Sequence, residues 1–230
     1  MKNILNQKPS NILHGRLLAS INFVTDDNIF EKKILDIGCG YGWCELNFLS
    51  RGAREITATE KSEDDLKTVK NNIDNQKVKL IVCDATNLPF SNDKFDTVVM
   101  WDVIEHIAKK TEPKMFSEVS RVLKSDGHFY ISTPYSSFFS KLTDPAWWLT
   151  GHRHYSKEDI NGFAKNHGFE IIEIKLGGGW WSVFSTINMY ISKWVFQRKP
   201  FFEKMFNNKE SSEYKRNNGF VSIFVKLKKK

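Results

Sequence analysis

Short apolar, β-branched runs alternate along this chain with longer stretches whose apolar positions recur at helical spacing. The runs Lys33–Ile37, Glu55–Thr59, Lys79–Cys83, Phe95–Met100 and His128–Ser132 have the length and content of buried strands. Between them the spacing predicts helices at Gly42–Ser50, Ser62–Asn75 and Pro113–Leu123, preceded by a first helix over Ile12–Val24. A later helix is expected over Lys157–His167, with Ser156 as its N-cap. This alternation predicts an α/β fold in which a mostly parallel sheet carries helices on both faces. The ending differs. Phe169–Leu176 and Phe220–Lys228 read as two successive strands, separated not by an ordinary crossover helix but by an aromatic-rich insertion, residues 177–219. A single domain over residues 1–230 is expected, with helix 12–24 and insertion 177–219 as its appendages.

Composition changes this picture little. Apolar content of 40% and charged content of 27% are those of an ordinary globular chain. No run of about 20 apolar residues occurs and the opening MKNILNQKPS lacks an apolar leader, so a cytoplasmic protein is expected. Charge is uneven, since residues 141–230 carry 16 Lys/Arg against 8 Asp/Glu. Such a basic segment attracts anionic lipid, nucleic acid or an acidic substrate, or simply solvates a surface. Cys39, Cys44 and Cys83 form no CxxC pair and have no His nearby at ligand spacing, so they are read as small buried residues and no metal site is expected.

The chemistry concentrates at Ile34-Leu35-Asp36-Ile37-Gly38-Cys39-Gly40-Tyr41-Gly42, an apolar strand that runs into three glycines and then a helix. Glycines there let the backbone approach a ligand, and the helix start offers free amides. Glu60 follows 22 residues after Gly38, at the end of the second strand, where a carboxylate can hold both hydroxyls of a ribose. Acid-plus-GxGxG, the segment Cys83-Asp84-Ala85 after the third strand, the run from Phe95 to His106 and the turn Val122–His128 together resemble the class I S-adenosylmethionine-dependent methyltransferases. The resemblance covers about residues 12–176. It implies a Rossmann-like seven-stranded sheet, mostly parallel with an antiparallel last strand, and S-adenosyl-L-methionine as cofactor. It further implies that Asp36 orients the donor's amino group, Gly38 and Gly40 line the methionine moiety and Glu60 holds the ribose. Asp84 with Ala85 would meet the adenine, and Trp101 would stand beside the donor.

The acceptor is less well marked. An Asn/Asp-Pro-Pro-aromatic tetrapeptide after the fourth strand and a Pro-Cys nucleophile are both missing, which argues against adenine-amino and cytosine-C5 methylation of nucleic acid. Trp101-Asp102-Val103-Ile104-Glu105-His106 resembles the small-molecule branch of ubiquinone- and menaquinone-type enzymes. Gly151-His152-Arg153-His154-Tyr155-Ser156 is similar to methyltransferases of cell-surface polysaccharide synthesis. O-methylation of a small-molecule or lipid-linked acceptor is expected, with His106, His152 and His154 as candidate catalytic bases. His14 and Arg16 read as helix surface, and Trp147 and Trp148 as core or pocket wall. The aromatic run Trp180–Phe196, followed by Arg198, Lys199 and Lys204, suits a peripheral membrane contact, sheet packing or a homodimer contact. A tRNA or rRNA methyltransferase, a non-catalytic donor-binding subunit and a nicotinamide-dependent oxidoreductase are the competing readings, the last disfavoured by the glycine spacing.

Overall fold

In the computed structural model of the protein, which describes residues 8–230, strand β1 (Lys33–Ile37) buries four of its five side chains. Residues 1–7 lie outside the described residues. A strand buried on both faces must satisfy its backbone through neighbouring strands. β1 pairs in parallel with β2 (Glu55–Glu60) on one side and β4 (Phe95–Trp101) on the other. β3 (Val78–Val82) extends the sheet beyond β2, and β5 (Leu123–Pro134) extends it beyond β4. β7 (Ser222–Lys229) then runs antiparallel between β5 and β6 (Phe169–Gly177), which gives the order β3-β2-β1-β4-β5-β7-β6. The last strand alone is reversed, as the sequence resemblance implies.

Side-chain alternation along these strands feeds two cores. Leu35, Val98 and Phe129 meet Met115, Phe116 and Val119 of α4 (Glu112–Val122) and Ile160 of α7 (Lys157–Asn166). Their neighbours Ile34, Val99 and Tyr130 meet Phe23 of α1 (Gly15–Phe23) and Phe48 of α2 (Trp43–Ser50) on the opposite face. α3 (Glu63–Asn72) packs Leu66 and Val69 against Ala58 of β2. Ser156 caps α7 through a reciprocal box: its hydroxyl accepts the Asp159 amide at 3.1 Å, and Asp159 accepts the Ser156 amide at 2.8 Å.

Several boundaries shift for identifiable reasons. α1 starts at Gly15 rather than Ile12, because Ile12 is 75% exposed and contributes nothing to the core. α3 stops at Asn72, where Ile73 turns extended and packs beside Val69 under the Gly42 turn. The final strand begins at Ser222, since the Phe220 ring turns away to pack edge-on against Trp180 and at a tilt against Phe139. Residues after β5 also form two short helices, α5 (Phe138–Thr143) and α6 (Pro145–Thr150), which the apolar pattern does not reveal. Asp144 caps α6 by accepting the Ala146 amide at 2.9 Å, with Pro145 opening the helix.

Between β6 and β7 the chain forms α8 (Trp180–Tyr190), a π-helical turn over Ile191–Val195, and α9 (Glu203–Tyr214). Glu213 of α9 accepts the amides of Gly179, Trp181 and Ser182 at 2.9 Å each, so a carboxylate sits on the unpaired N–H groups that open α8. Asn188 closes the other end by donating to the Phe201 carbonyl at 2.6 Å. α9 is tied to α1 through the Gly15 amide, which donates to the Ser211 hydroxyl at 2.8 Å. Among the described residues no helix is long and apolar enough to cross a membrane.

Candidate functional site

The chain leaves β1 toward β2 and β3 on one side and returns to β4 and β5 on the other. The loops after β1 and β4 therefore diverge, and in open α/β sheets ligands bind in the crevice so formed. Here it is a cleft of about 620 Å³, within the usual range for small ligands of about 300–1,000 Å³. Gly38 and Gly40 line it after β1, Glu60 after β2, Asp84 and Ala85 after β3, and Trp101 at the end of β4.

The glycine turn is pinned to the sheet, because the amides of Gly38 and Cys39 donate to the Thr59 carbonyl at 2.9 and 3.1 Å. Gly38 takes φ +81°, and a side chain there would run into Val103. Gly40, at φ +61°, borders open space instead. Its amide donates to Glu60 at 2.8 Å, which holds that carboxylate at the lip of the turn. Burial raises Glu60 above its ordinary value, against the opposing pull of the Gly40 amide. Asp84 accepts the amide and hydroxyl of Thr86 at 2.8 and 2.7 Å and pairs with Lys61 at 3.4 Å, so it is held below the ordinary range. Trp101 is fixed by donating to the Cys44 sulfur at 3.1 Å.

Asp36 does not line the cleft. It lies buried directly under the turn, and neither of its oxygens, nor either oxygen of buried Glu45 on α2, has a hydrogen-bond donor among the described residues. Burial pushes Asp36 up to about 7, against the pull of Glu45 and Cys44, and burial together with the Asp36 charge pushes Glu45 well above its usual range. A buried pair of carboxyl groups beneath an open glycine turn suits a ligand that brings a cationic nitrogen.

The opposite wall has its own network. His106 lines the cleft, and its Nε2 stands 3.3 Å from Nε2 of His152. Nδ1 of His152 and Nε2 of His154 both face Oδ2 of Asp144, at 3.1 and 2.8 Å. Burial works against the Asp144 charge, but the two imidazoles and the Ala146 amide outweigh it and hold the carboxyl below its ordinary range. An ionised Asp144 accepts from both rings, which fixes the tautomers. His154 then accepts from Ser140 (3.3 Å) through Nδ1, and His152 presents a lone pair at Nε2 toward His106. Burial, followed by the neighbouring His152, lowers His106 and keeps it neutral near pH 7.

Of the three histidine candidates, the structure thus brings His106 and His152 together, with His106 on the cleft wall and His152 against it. It encloses the fully buried ring of His154 behind them, edge-on to Trp147. Arg153 faces inward, donating to the carbonyls of Ile104 and Ile107 and to Glu112, and so clamps the turn that carries Glu105 and His106. Arg16 is not idle helix surface: it lines the cleft and pairs with Asp102 at 3.1 Å. Glu45, Glu105 and Asp144 escaped the sequence reading. For Asp144 the signal was present, an Asp-Pro pair of the kind that opens a helix. Trp148 is 66% exposed and packs into no core.

Doubly wound sheet, glycine turn and ribose-competent carboxylate define a nucleoside-cofactor-binding α/β domain. Residues 34–127 match a family described as methyltransferase domain. The chain is 29% identical over 133 residues to the ubiquinone biosynthesis O-methyltransferase of Glaesserella parasuis, covering 55% of each. It is 30% identical over 112 residues to the cyclopropane-fatty-acyl-phospholipid synthase of Escherichia coli K12, covering 49% of this chain and 28% of that one. These matches thus span about half and about a quarter of the relatives' lengths. In fold it is similar to an S-adenosylmethionine-dependent methyltransferase from Mesorhizobium loti, with a TM-score of 0.62 and 16% identity over 93% of this chain and 96% of that one. Over residues 34–127 the chain is thus similar to the methyltransferase domain family, and its sheet has the fold of S-adenosylmethionine-dependent methyltransferases.

The Asp36–Glu45 pair makes a prediction for stability. A carboxyl raised in the folded state favours folding while it stays protonated, and that contribution is lost as pH climbs from the unfolded value toward about 7. Asp36→Asn removes the penalty. Its stability margin over the wild type should therefore widen between about pH 5.5 and about pH 7.5, by at most about 1.4 kcal/mol per pH unit. Urea unfolding at the two pH values measures this, and a margin that does not change would contradict the buried, protonated pair.

Proposed function

We propose that the protein methylates a hydroxyl of a small-molecule or lipid-linked acceptor. When bound, S-adenosylmethionine supplies an electrophilic methyl group on a sulfonium. Asp36 would hold its ammonium, Gly38 and Gly40 leave room for the methionine chain, and Glu60 takes the ribose hydroxyls. Asp84 and Ala85 would border the adenine, with Trp101 closing the side. The observation that carries the acceptor reading is the chain from His106 through His152 to Asp144, which ends on the cleft wall. His106 takes the hydroxyl proton while His152 accepts from its far side, and Asp144 stabilises the positive charge that arrives on His152. Arg153 and Tyr155, both bonded to the Ile104 carbonyl, keep the His106 turn in place. The names of the two relatives, one an O-methyltransferase and one a phospholipid-modifying synthase, support an oxygen acceptor and a lipid-borne one respectively.

A lipid-borne acceptor is further supported by an exposed stripe on α8 and the turn that follows. Trp180, Phe184, Ile187, Ile191 and Trp194 recur at intervals of four and three residues, and every one is exposed. Trp194, at 71%, and Phe202, at 75%, stand among Lys193, Arg198, Lys199 and Lys204. An apolar stripe edged with cations is what an interfacial helix presents to an anionic membrane.

Incubation with methyl-labelled donor and a cell extract tests the reaction: label should enter the organic-soluble or small-molecule fraction. His152→Gln should slow it by about 10²–10⁴-fold at saturating donor, and Glu60→Ala should weaken donor binding by about 10–150-fold. Label that enters neither fraction, or full turnover in His152→Gln, would contradict the proposal. For the stripe, sedimentation with anionic liposomes at low salt should carry down the intact protein and leave the triple variant Trp194→Ser, Phe196→Ser, Phe202→Ser in solution. Each basic residue near such a surface contributes about 1 kcal/mol, so added salt should release the protein. An intact protein that stays in the supernatant sinks the membrane contact.

A further inference from the structure

His106, His152 and Glu105 come from two loops far apart in sequence, yet their ligand atoms converge on one point. Nε2 of His152 lies 3.3 Å from Nε2 of His106 and 3.8 Å from Oε1 of Glu105. In a tetrahedral site with metal–nitrogen bonds of about 2.0–2.1 Å, neighbouring ligand atoms stand about 3.3–3.4 Å apart. Base chemistry makes no use of Glu105, whose side chain is fully buried and whose Oε1 has no hydrogen-bond donor among the described residues. Leaving a buried carboxylate oxygen without a partner is costly. A cation between the three atoms removes that cost.

The surroundings match what ligating groups need behind them. Oε2 of Glu105 accepts the Thr133 hydroxyl at 3.0 Å. Nδ1 of His152 faces Asp144 at 3.1 Å, the carboxylate–histidine arrangement that orients a metal-bound imidazole. The nearby cations are already neutralised, Arg16 by Asp102 and Arg153 by Glu112. His106 lines the cleft, so a fourth position would face the acceptor space.

The geometry points to a divalent-metal site made by Glu105, His106 and His152, with Thr133 and Asp144 behind it and an open position toward the cleft. Two imidazoles and one carboxylate favour a borderline ion such as Zn²⁺ or Co²⁺ over Mg²⁺ or Ca²⁺, which prefer oxygen ligands throughout. The sequence argued for no metal because its cysteines lack ligand spacing; the ligands here are supplied by the fold instead. The ion's chemical task rests on the proposed hydroxyl methylation: with an ion bound, His106 and His152 ligate instead of relaying the proton, and an acceptor hydroxyl in the open position becomes acidic enough to lose it to solvent near neutral pH. The site itself rests on the distances alone.

The test is titration of the chelator-stripped full chain with CoCl₂, followed by visible absorption, alongside calorimetry with ZnCl₂. The wild type should take up one ion per chain and develop ligand-field bands. His106→Gln, His152→Gln and Glu105→Gln should each bind at least about tenfold more weakly, and Asp144→Asn about 10–100-fold more weakly. Circular dichroism melting checks that the variants are folded, and His106, being exposed, gives the variant least able to disturb the core. Absence of cobalt bands in the saturated wild type, or wild-type cobalt affinity in folded His106→Gln, overturns the site. Methyl transfer is assayed separately on stripped protein, so failure of the metal site and failure of the proposed reaction give different results.

Discussion

The reversal of strand order at β1 is the constraint on which the rest depends. β1 has β2 on one flank and β4 on the other, so the connections that leave their carboxyl ends part in opposite directions. The gap cannot be filled by either connection. Every group assigned to the donor hangs from this edge or lies just beneath it: Gly38 and Gly40 after β1, Glu60 after β2, Asp84 after β3 and Trp101 at the end of β4. α1 and the Ile104–Ile107 turn close the remaining sides, contributing Arg16 and His106.

The two walls of the cleft solve opposite electrostatic problems. Under the glycine turn, Asp36 and Glu45 bring two carboxyl groups into one buried space, and burial makes them hold protons. Across the cleft, Asp144 keeps its charge despite partial burial, because His152, His154 and the Ala146 amide all donate to it. One wall lacks a cation and the other has organised hydrogen bonds around an anion. A cofactor with an ammonium group suits the first, and an acceptor that must lose a proton suits the second.

Much of this was legible in the residues. β1 lies where the apolar run Lys33–Ile37 placed it, and Asp36, the GxGxG turn and Glu60 came together because local spacing alone brings a turn and the next strand end into register. Long-range partnerships were not legible. Asp144 reads as a simple helix cap until the fold turns its second oxygen onto His152 and His154. Glu105 reads as one residue of a motif, and only packing shows that it is fully buried with an unpaired oxygen. Arg153, adjacent to two histidines, invites an acceptor role, but its hydrogen bonds to the Ile104 and Ile107 carbonyls make it a structural clamp. The aromatic insertion was visible as composition; α9, which is polar along most of its length, has too little apolar periodicity to announce itself.

The central claim is that the donor's ammonium takes the place of the proton held by the buried pair under the glycine turn. Calorimetry of S-adenosylhomocysteine binding in buffers of different ionisation enthalpy counts protons exchanged on binding. At about pH 6, below the raised value of Asp36, binding should release protons in the wild type and release fewer in Asp36→Asn. A binding enthalpy at that pH that is the same in every buffer, or that reports proton uptake, would contradict the account.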